Sequence, residues 1–333
     1  MTFHPGIMTL LIGSALITAM VGYATWHGFA ILQHWNIQSG SELQLSMERK
    51  TYLISTIVAN ALGFHLMTLF LYVYTADTIS PLFVGAMCAA GSLHVNAYGY
   101  PALMLKLTNF VLVSLWLVIN HIDQQAPDYP LIRFKYAVLV ALFPMLILET
   151  WVQGAYLIGL KPNVITSCCG TLFSEDARNF LSEWMMLPRR PMEWIWAGTT
   201  CLMMTTGLWF QAKRKGAYLF SGVSFIQMPV SIAALFSFIG IYIYELPTHH
   251  CPFCILHAEY HSIGYPIYVM ILLSVVSGLA IGILHPFRKV KSLSVRIPAV
   301  QRKLAWVSLS SQAVFVCISV LAIASSNLSM DAY

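Results

Sequence analysis

The sequence predicts an all-helical integral membrane protein, a bundle of about eight transmembrane helices. Hydrophobic residues make up 58% of the chain and charged residues only 9%, whereas soluble domains carry about 25% charge. The apolar residues fall in stretches of about 20, the length that a helix needs to cross about 30 Å of hydrocarbon. We therefore expect one membrane domain over residues 1–333.

Eight apolar stretches follow one another along the chain. The first lacks the basic start and the small-residue cleavage site of a signal peptide, so we expect it to be retained. Pro144 and Pro229 fall inside the fourth and sixth stretches and predict bends, which packed membrane helices tolerate. The predicted spans are about 7–32, 52–75, 101–121, 134–159, 193–211, 217–245, 266–284 and 304–325.

The distribution of basic residues predicts the orientation. Loops after the odd-numbered spans hold thirteen of the eighteen lysines and arginines, and positively charged loops stay in the cytoplasm. Both termini and the loops 76–100, 160–192 and 246–265 should then be external, with the bacterial inner membrane as the expected location. The net charge of +5 is therefore explained by orientation in a membrane. We expect a lipid environment and no nucleic-acid partner.

The external loop 160–192 also carries a helical pattern. Ser174 is a suitable N-cap, and apolar residues recur after it at helical spacing. A short amphipathic helix on the outer membrane surface is therefore predicted. Its apolar positions are Ala177, Phe180, Leu181, Trp184 and Leu187.

Reactive side chains are concentrated in the external loops, which hold five of the seven cysteines. In the C-P-F-C motif, Pro252 favours the first turn of a short helix running from Cys251 toward His261. Such a helix N-terminus stabilises a thiolate, and external loops face an oxidising compartment. The motif therefore predicts thiol-disulfide or electron transfer. Cys251 would be the attacking or exposed sulfur and Cys254 its resolving partner, with Cys88, Cys168 and Cys169 as exchange partners.

Two alternatives stay open for the same segment. Cysteine and histidine at short spacing suit Zn or Cu(I), which predicts a metal-binding or transport protein. External cysteines are also commonly structural disulfides, which would make the chain a membrane subunit. For thiol-disulfide transfer the expected partner is an external thiol protein, and for metal binding it is an external metal-carrying protein. The candidate metal ligands are His249, His250, Cys251, Cys254, His257 and His261.

Ionisable residues inside apolar spans are costly and mark candidate functional sites. Four polar side chains fall in the outer halves of spans two to four: His65, Lys106, Glu149 and Gln153. They predict a buried pocket for a quinone head group, a proton or a metal ion. The alternative is a plain ion pair of Glu149 with Lys106 or His65.

Overall fold

The computed structural model describes residues 3–37, 39–162, 164–166, 188–247 and 249–328. The described chain is all-helical, as predicted, and its only extended pairing is an isolated bridge between Val84 and Ile165. The α-helices are α1 Pro5–His34, α2 Glu42–Thr78, α3 Ala89–His94, α4 Gly99–Asp123, α5 Ile132–Ile158, α6 Arg189–Lys213, α7 Ala217–Ala234, α8 Gly240–Tyr244, α9 Gly264–Leu284 and α10 Arg296–Ser325.

Seven helical stretches in the described residues are long and apolar enough to cross a membrane, which indicates an integral membrane protein. They cover seven of the eight predicted spans. The remaining one, 193–211, forms α6, whose 25 residues suffice by length. Threonines, tryptophans and glycines lower its mean hydropathy, so its crossing of the membrane stays a prediction. The seven stretches are Pro5–His34, Glu42–Leu82, Gly99–Asp123, Ile132–Ile158, Ala217–Tyr244, Gly264–Lys289 and Arg296–Ser325.

Helix ends differ from the predicted spans mainly by extension. Helix α2 begins at Glu42, ten residues before the predicted apolar stretch, because Ser41 caps it by accepting a hydrogen bond from the Gln44 N–H. The sixth span is interrupted by a π-helical turn, Leu235–Ile239, between α7 and α8. Pro144 and Pro229 lie inside α5 and α7.

The chain divides into two compact units. The first comprises Met1–Val84, Ser92–Ile165 and Arg288–Arg296, and the second comprises Gly85–Gly91, Thr166–Phe287 and Ile297–Tyr333. In the first unit α1 packs on α2 and α5, and α4 packs on α2 and α5. Trp116 and Tyr136 are fully buried in its core, where the indole N–H of Trp116 donates to the Lys135 carbonyl at 2.9 Å.

In the second unit α7 packs on α6 and α9. Two glycines of α9 make the contact with α7 close, because a Cβ on Gly278 would lie 2.1 Å from Ser224 Oγ and one on Gly282 would lie 2.4 Å from Ser221 Oγ. Glycines four residues apart, facing small residues, are a common device for close helix packing in membranes.

Candidate functional site

Three cysteine side chains come together in the second unit. The Sγ atoms of Cys88 and Cys251 are 3.5 Å apart, and those of Cys88, Cys251 and Cys254 all lie within 4.8 Å of one another. A disulfide S–S bond is about 2.05 Å long, so the 3.5 Å separation is contact without a bond. All three are buried, with exposed fractions of 0%, 1% and 9%. We call this set the cysteine cluster.

Cys88 reaches the cluster from a tight loop just before α3. Gly85 has φ of 87°, and a Cβ at that position would lie 2.5 Å from the Thr166 carbonyl oxygen. Glycine adopts this left-handed conformation at little cost. The carbonyl of Cys88 then accepts from the Gly91 N–H at 3.1 Å, so Cys88 immediately precedes the first turn of α3.

The predicted helix from Cys251 to His261 is wrong. The segment forms two short 3₁₀ turns, Cys254–Leu256 and Ala258–Tyr260, separated by an extended His257. Hydrogen bonds such as His257 N–H to the Cys254 carbonyl span three residues, not four. The helix dipole that was expected to stabilise a Cys251 thiolate is therefore not supplied by this segment.

Two tyrosine hydroxyls hold the turn that carries Cys251 and Cys254. Tyr244, at the end of α8, donates to the Cys251 carbonyl and accepts from the Ile255 N–H at 3.0 Å. Tyr268 of α9 donates to the Pro252 carbonyl at 2.8 Å. Membrane-spanning helices thus anchor the backbone of the C-P-F-C motif from both sides of the loop.

The adjacent histidines play different structural parts. The His249 ring packs edge-on against Tyr244, 4.5 Å between centroids. Burial lowers the pKa of His249, with the charge of Cys88 opposing the shift and that of His250 adding to it. His250 Nδ1 lies 3.0 Å from the Phe236 carbonyl in the π-helical turn, a hydrogen bond if Nδ1 carries the proton.

The predicted site residues meet only in part. Cys251 and Cys254 join Cys88, as the exchange hypothesis expects, but Cys251 is buried and is not an exposed sulfur. Among the described residues, the cysteine cluster is the one group of three or more potential metal ligands whose ligand atoms lie within 4.8 Å of one another. The other predicted metal ligands are outside it: His249, His250, His257 and His261. Cys168, Cys169 and the predicted amphipathic helix fall outside the described residues.

The first unit contains a second polar centre, built around Glu149. Its Oε1 accepts from Lys106 Nζ at 2.8 Å. Its Oε2 accepts from Asn109 Nδ2 at 2.7 Å and lies 3.3 Å from His65 Nε2. Lys106 Nζ also donates to Thr68 Oγ1 at 3.1 Å. Three of the four predicted pocket residues therefore converge, and the carboxylate lies between two basic side chains.

Gln153, the fourth predicted pocket residue, bonds elsewhere. Its Nε2 donates to the Leu10 carbonyl at 3.1 Å and to Ser14 Oγ at 2.9 Å, both on α1. The amide therefore links α5 to α1, a structural contact.

Protein-family models, curated proteins and solved structures were compared with this chain, and none matches it. Function must therefore be inferred from the side-chain geometry itself.

One buried ion pair was not predicted. Lys135 Nζ lies 2.7 Å from Asp123 Oδ2, and both side chains are fully buried. Asp123 Oδ1 also accepts from the Leu131 N–H at 2.8 Å, tying the end of α4 to the start of α5. The count of basic residues had placed Lys135 in a loop. The sequence feature that could have predicted the pair is an aspartate at the end of one apolar span followed by a lysine at the start of the next.

Proposed function

We propose that the protein is a membrane thiol-disulfide oxidoreductase whose reactive centre is the cysteine cluster. The observation that carries this is the 3.5 Å contact between the Cys88 and Cys251 sulfur atoms, with Cys254 within 4.8 Å of both. Thiol-disulfide exchange needs three sulfurs in mutual reach: one attacks, one is attacked and one leaves.

Exchange among the three cysteines needs no added reagent. With a disulfide between Cys251 and Cys254, the Cys88 thiolate attacks Cys251 Sγ. A Cys88–Cys251 bond forms, the Cys251–Cys254 bond breaks, and Cys254 leaves as a thiolate. Net turnover then requires both an external dithiol, which is oxidised, and an external disulfide, which is reduced; partner thiol proteins are the expected class. Cys254, the most exposed of the three at 9%, is the better candidate for that encounter, with Cys251 as the central sulfur.

The proposed topology, eight spans with both termini and the cluster-bearing loop external, is supported by the charge pattern. Lys106 and Lys135 are buried in ion pairs, so neither contributes a loop charge. Removing them leaves twelve basic residues in the predicted cytoplasmic loops and four in the external ones. The bias therefore grows, in the direction that the positive-inside rule requires.

The test is thiol labelling of the full chain in membranes equilibrated at a series of glutathione ratios. We expect Cys251 and Cys254 to switch together between labelled and protected. Cys88→Ser should leave their bond able to form but shift the glutathione ratio at which it forms, because the competing Cys88–Cys251 bond is lost. Cys201→Ser and Cys317→Ser are matched controls, because these cysteines lie outside the cluster. A cluster that stays fully oxidised or fully reduced throughout, or a switching midpoint that Cys88→Ser leaves unchanged, contradicts the proposal and favours a structural subunit.

A second candidate function is binding of a thiophilic cation, Cu(I) or Zn²⁺, by the same three sulfurs. Metal–sulfur bonds of about 2.3 Å place thiolates about 3.8–4.0 Å apart around one ion. The observed separations, 3.5 Å for one pair and at most 4.8 Å for all, are compatible with that. Thiolates also select these soft ions.

Elemental analysis separates the two candidates. Purified chain reduced under argon should carry one Cu(I) or Zn²⁺ per molecule and lose it in each cysteine-to-serine variant of the cluster. The Cys201→Ser variant should retain the metal. Absence of stoichiometric metal, together with no metal-dependent rise in thermal stability, contradicts this second function and leaves the exchange proposal untouched.

A further inference from the structure

Two adjacent helices of the second unit, α6 and α10, carry exposed basic side chains where the end of one meets the start of the other. The helices lie antiparallel, because Trp196 packs on Phe315 in the first half of α6 and Gln211 Nε2 donates to the Arg302 carbonyl at 2.9 Å near its end. The last turn of α6 therefore lies beside the first turns of α10. We call the exposed basic side chains there the basic patch: Lys213, Arg214, Lys215, Arg302 and Lys303.

The basic patch has no nearby carboxylate to neutralise it. Residues 194–244 and 260–330 contain no Asp or Glu, so the helix ends that carry the patch offer no acidic side chain. Four of its members, all but Arg214, take part in none of the ion pairs between described residues. Positive charge concentrated in this way attracts an anion.

Two tryptophans place the basic patch at the depth of lipid head groups. Trp209 precedes Lys213 by one turn of α6, and Trp306 follows Lys303 by nearly one turn of α10. Both side chains are about half exposed, at 45% and 53%, and exposed tryptophans gather where hydrocarbon meets head groups. Helix α10 is long and apolar enough to cross a membrane. Basic side chains one turn beyond the tryptophans therefore reach the lipid phosphates.

Farther along the same two helices, a groove of about 510 Å³ runs between them. The cysteines on its two sides, Cys201 and Cys317, are exposed, so the groove opens outward to the lipid. Its nearest residue to the patch, Thr205, precedes Lys213 by about 12 Å along the helix. An acyl chain reaches that far when its head group rests on the patch. The groove is lined by residues that include Cys201, Met204, Thr205, Ala313, Cys317 and Val320.

We infer that the basic patch and the groove together bind one anionic phospholipid, with its phosphate on the patch and an acyl chain in the groove. Charge, depth and shape agree on this occupant. A soluble phosphate compound would use the patch and leave the groove empty, and a zwitterionic lipid would fill the groove but bring no net charge to the patch. Neither the cysteine cluster nor the direction in which the chain crosses the membrane enters this inference.

The test is native mass spectrometry of the full chain, purified in a non-ionic detergent and titrated with palmitoyl-oleoyl phosphatidylglycerol or phosphatidylcholine. These lipids have the same acyl chains and differ in net charge. We expect one phosphatidylglycerol to bind at least about tenfold more tightly than phosphatidylcholine. The double variant Lys215→Gln, Lys303→Gln should weaken phosphatidylglycerol binding about tenfold or more, because each basic residue at a membrane surface contributes about fivefold.

Arg49→Gln, Lys50→Gln is the matched control, because it removes two exposed basic side chains from α2, outside the patch, and should leave binding unchanged. Ala313→Phe fills the groove and should weaken binding of the long-chain lipid but not of dihexanoyl phosphatidylglycerol, whose chains are too short to enter it. Equal affinities for the two long-chain lipids, equal losses in the two double variants, or unweakened long-chain binding by Ala313→Phe overturns the inference. If Ala313→Phe does not fold, the lipid comparison and the double variants still decide.

Discussion

The hydroxyl of Tyr244 brackets the C-P-F-C motif, donating to the carbonyl of Cys251, its first residue, and accepting from the N–H of Ile255, the residue that follows it. A single side chain of a membrane-spanning helix therefore fixes the length of the turn between the two sulfurs. The same ring packs on His249 and Tyr260, so the turn and its flanks share one support.

Tyr244→Phe removes both hydrogen bonds and keeps the ring. The buried carbonyl and N–H left unsatisfied should cost about 1–3 kcal/mol, and local opening of the turn should speed maleimide labelling of Cys251 and Cys254 about fivefold or more. Tyr260→Phe is the control, because that ring packs on Tyr244 and bonds neither backbone group. Equal labelling rates in the two variants would show that the hydroxyl does not hold the turn.

From the sequence, the members of the cysteine cluster could be predicted only as residues of two external loops on the same side of the membrane. Counting basic residues placed Cys88, Cys251 and Cys254 on one predicted side. The 3.5 Å contact joins residues 163 positions apart, which no local pattern encodes. The helix predicted after Pro252 did not form because proline also suits a non-helical turn, and the hydroxyls of Tyr244 and Tyr268, from the helices that flank the loop, bond the backbone of that turn.

Removing one charge of the Lys106–Glu149 ion pair should lower the free energy of unfolding more than removing both charges together. Glu149→Gln leaves a buried Lys106 without its counter-ion, for which we expect a loss of about 3–5 kcal/mol in the free energy of unfolding. The double variant Lys106→Met, Glu149→Leu should recover most of that loss, since no unpaired charge remains. Unfolding in detergent titrations measures both. A double variant as unstable as Glu149→Gln would contradict the role of charge pairing.

Two variants of Asp123 separate the contribution of its ion pair with Lys135 from that of its hydrogen bond to the Leu131 N–H. Asp123→Asn keeps an oxygen that can accept from the Leu131 N–H but removes the charge opposite Lys135, whereas Asp123→Ala removes both. We expect both variants to be destabilised by about 3–5 kcal/mol, with alanine worse by about 1 kcal/mol. Equal unfolding midpoints would show that the Leu131 bond contributes nothing.

The apolar pattern predicted all eight long helices of the described chain, seven of which are long and apolar enough to cross a membrane, but it said little about how they pack. Asp123 and Lys135 lie at helix ends that look like loop boundaries in the sequence, and burial becomes visible only once α4 and α5 are in contact. Glu149 and Lys106 were predictable because each interrupts an apolar stretch, where an unpaired charge is costly and a partner is expected.

The contact between α7 and α9 depends on the absence of side chains. A Cβ on Gly278 would lie 2.1 Å from Ser224 Oγ and 2.5 Å from Ser224 Cβ, and the Cβ of Ser224 cannot rotate away. Gly278→Ala should therefore push the helices apart and destabilise the second unit by about 1–3 kcal/mol, the usual cost of overpacking.

Gly222→Ala is the matched control, because nothing lies within 4 Å of a Cβ at that position on the same helix pair. It should be neutral or slightly stabilising, since alanine is the better helix former. The midpoint of unfolding in detergent measures both changes. The double variant Gly278→Ala, Ser224→Gly should regain part of the loss by removing the clashing Cβ and hydroxyl. If Gly278→Ala and Gly222→Ala behave alike, the two helices are not held at the distance that the glycine permits.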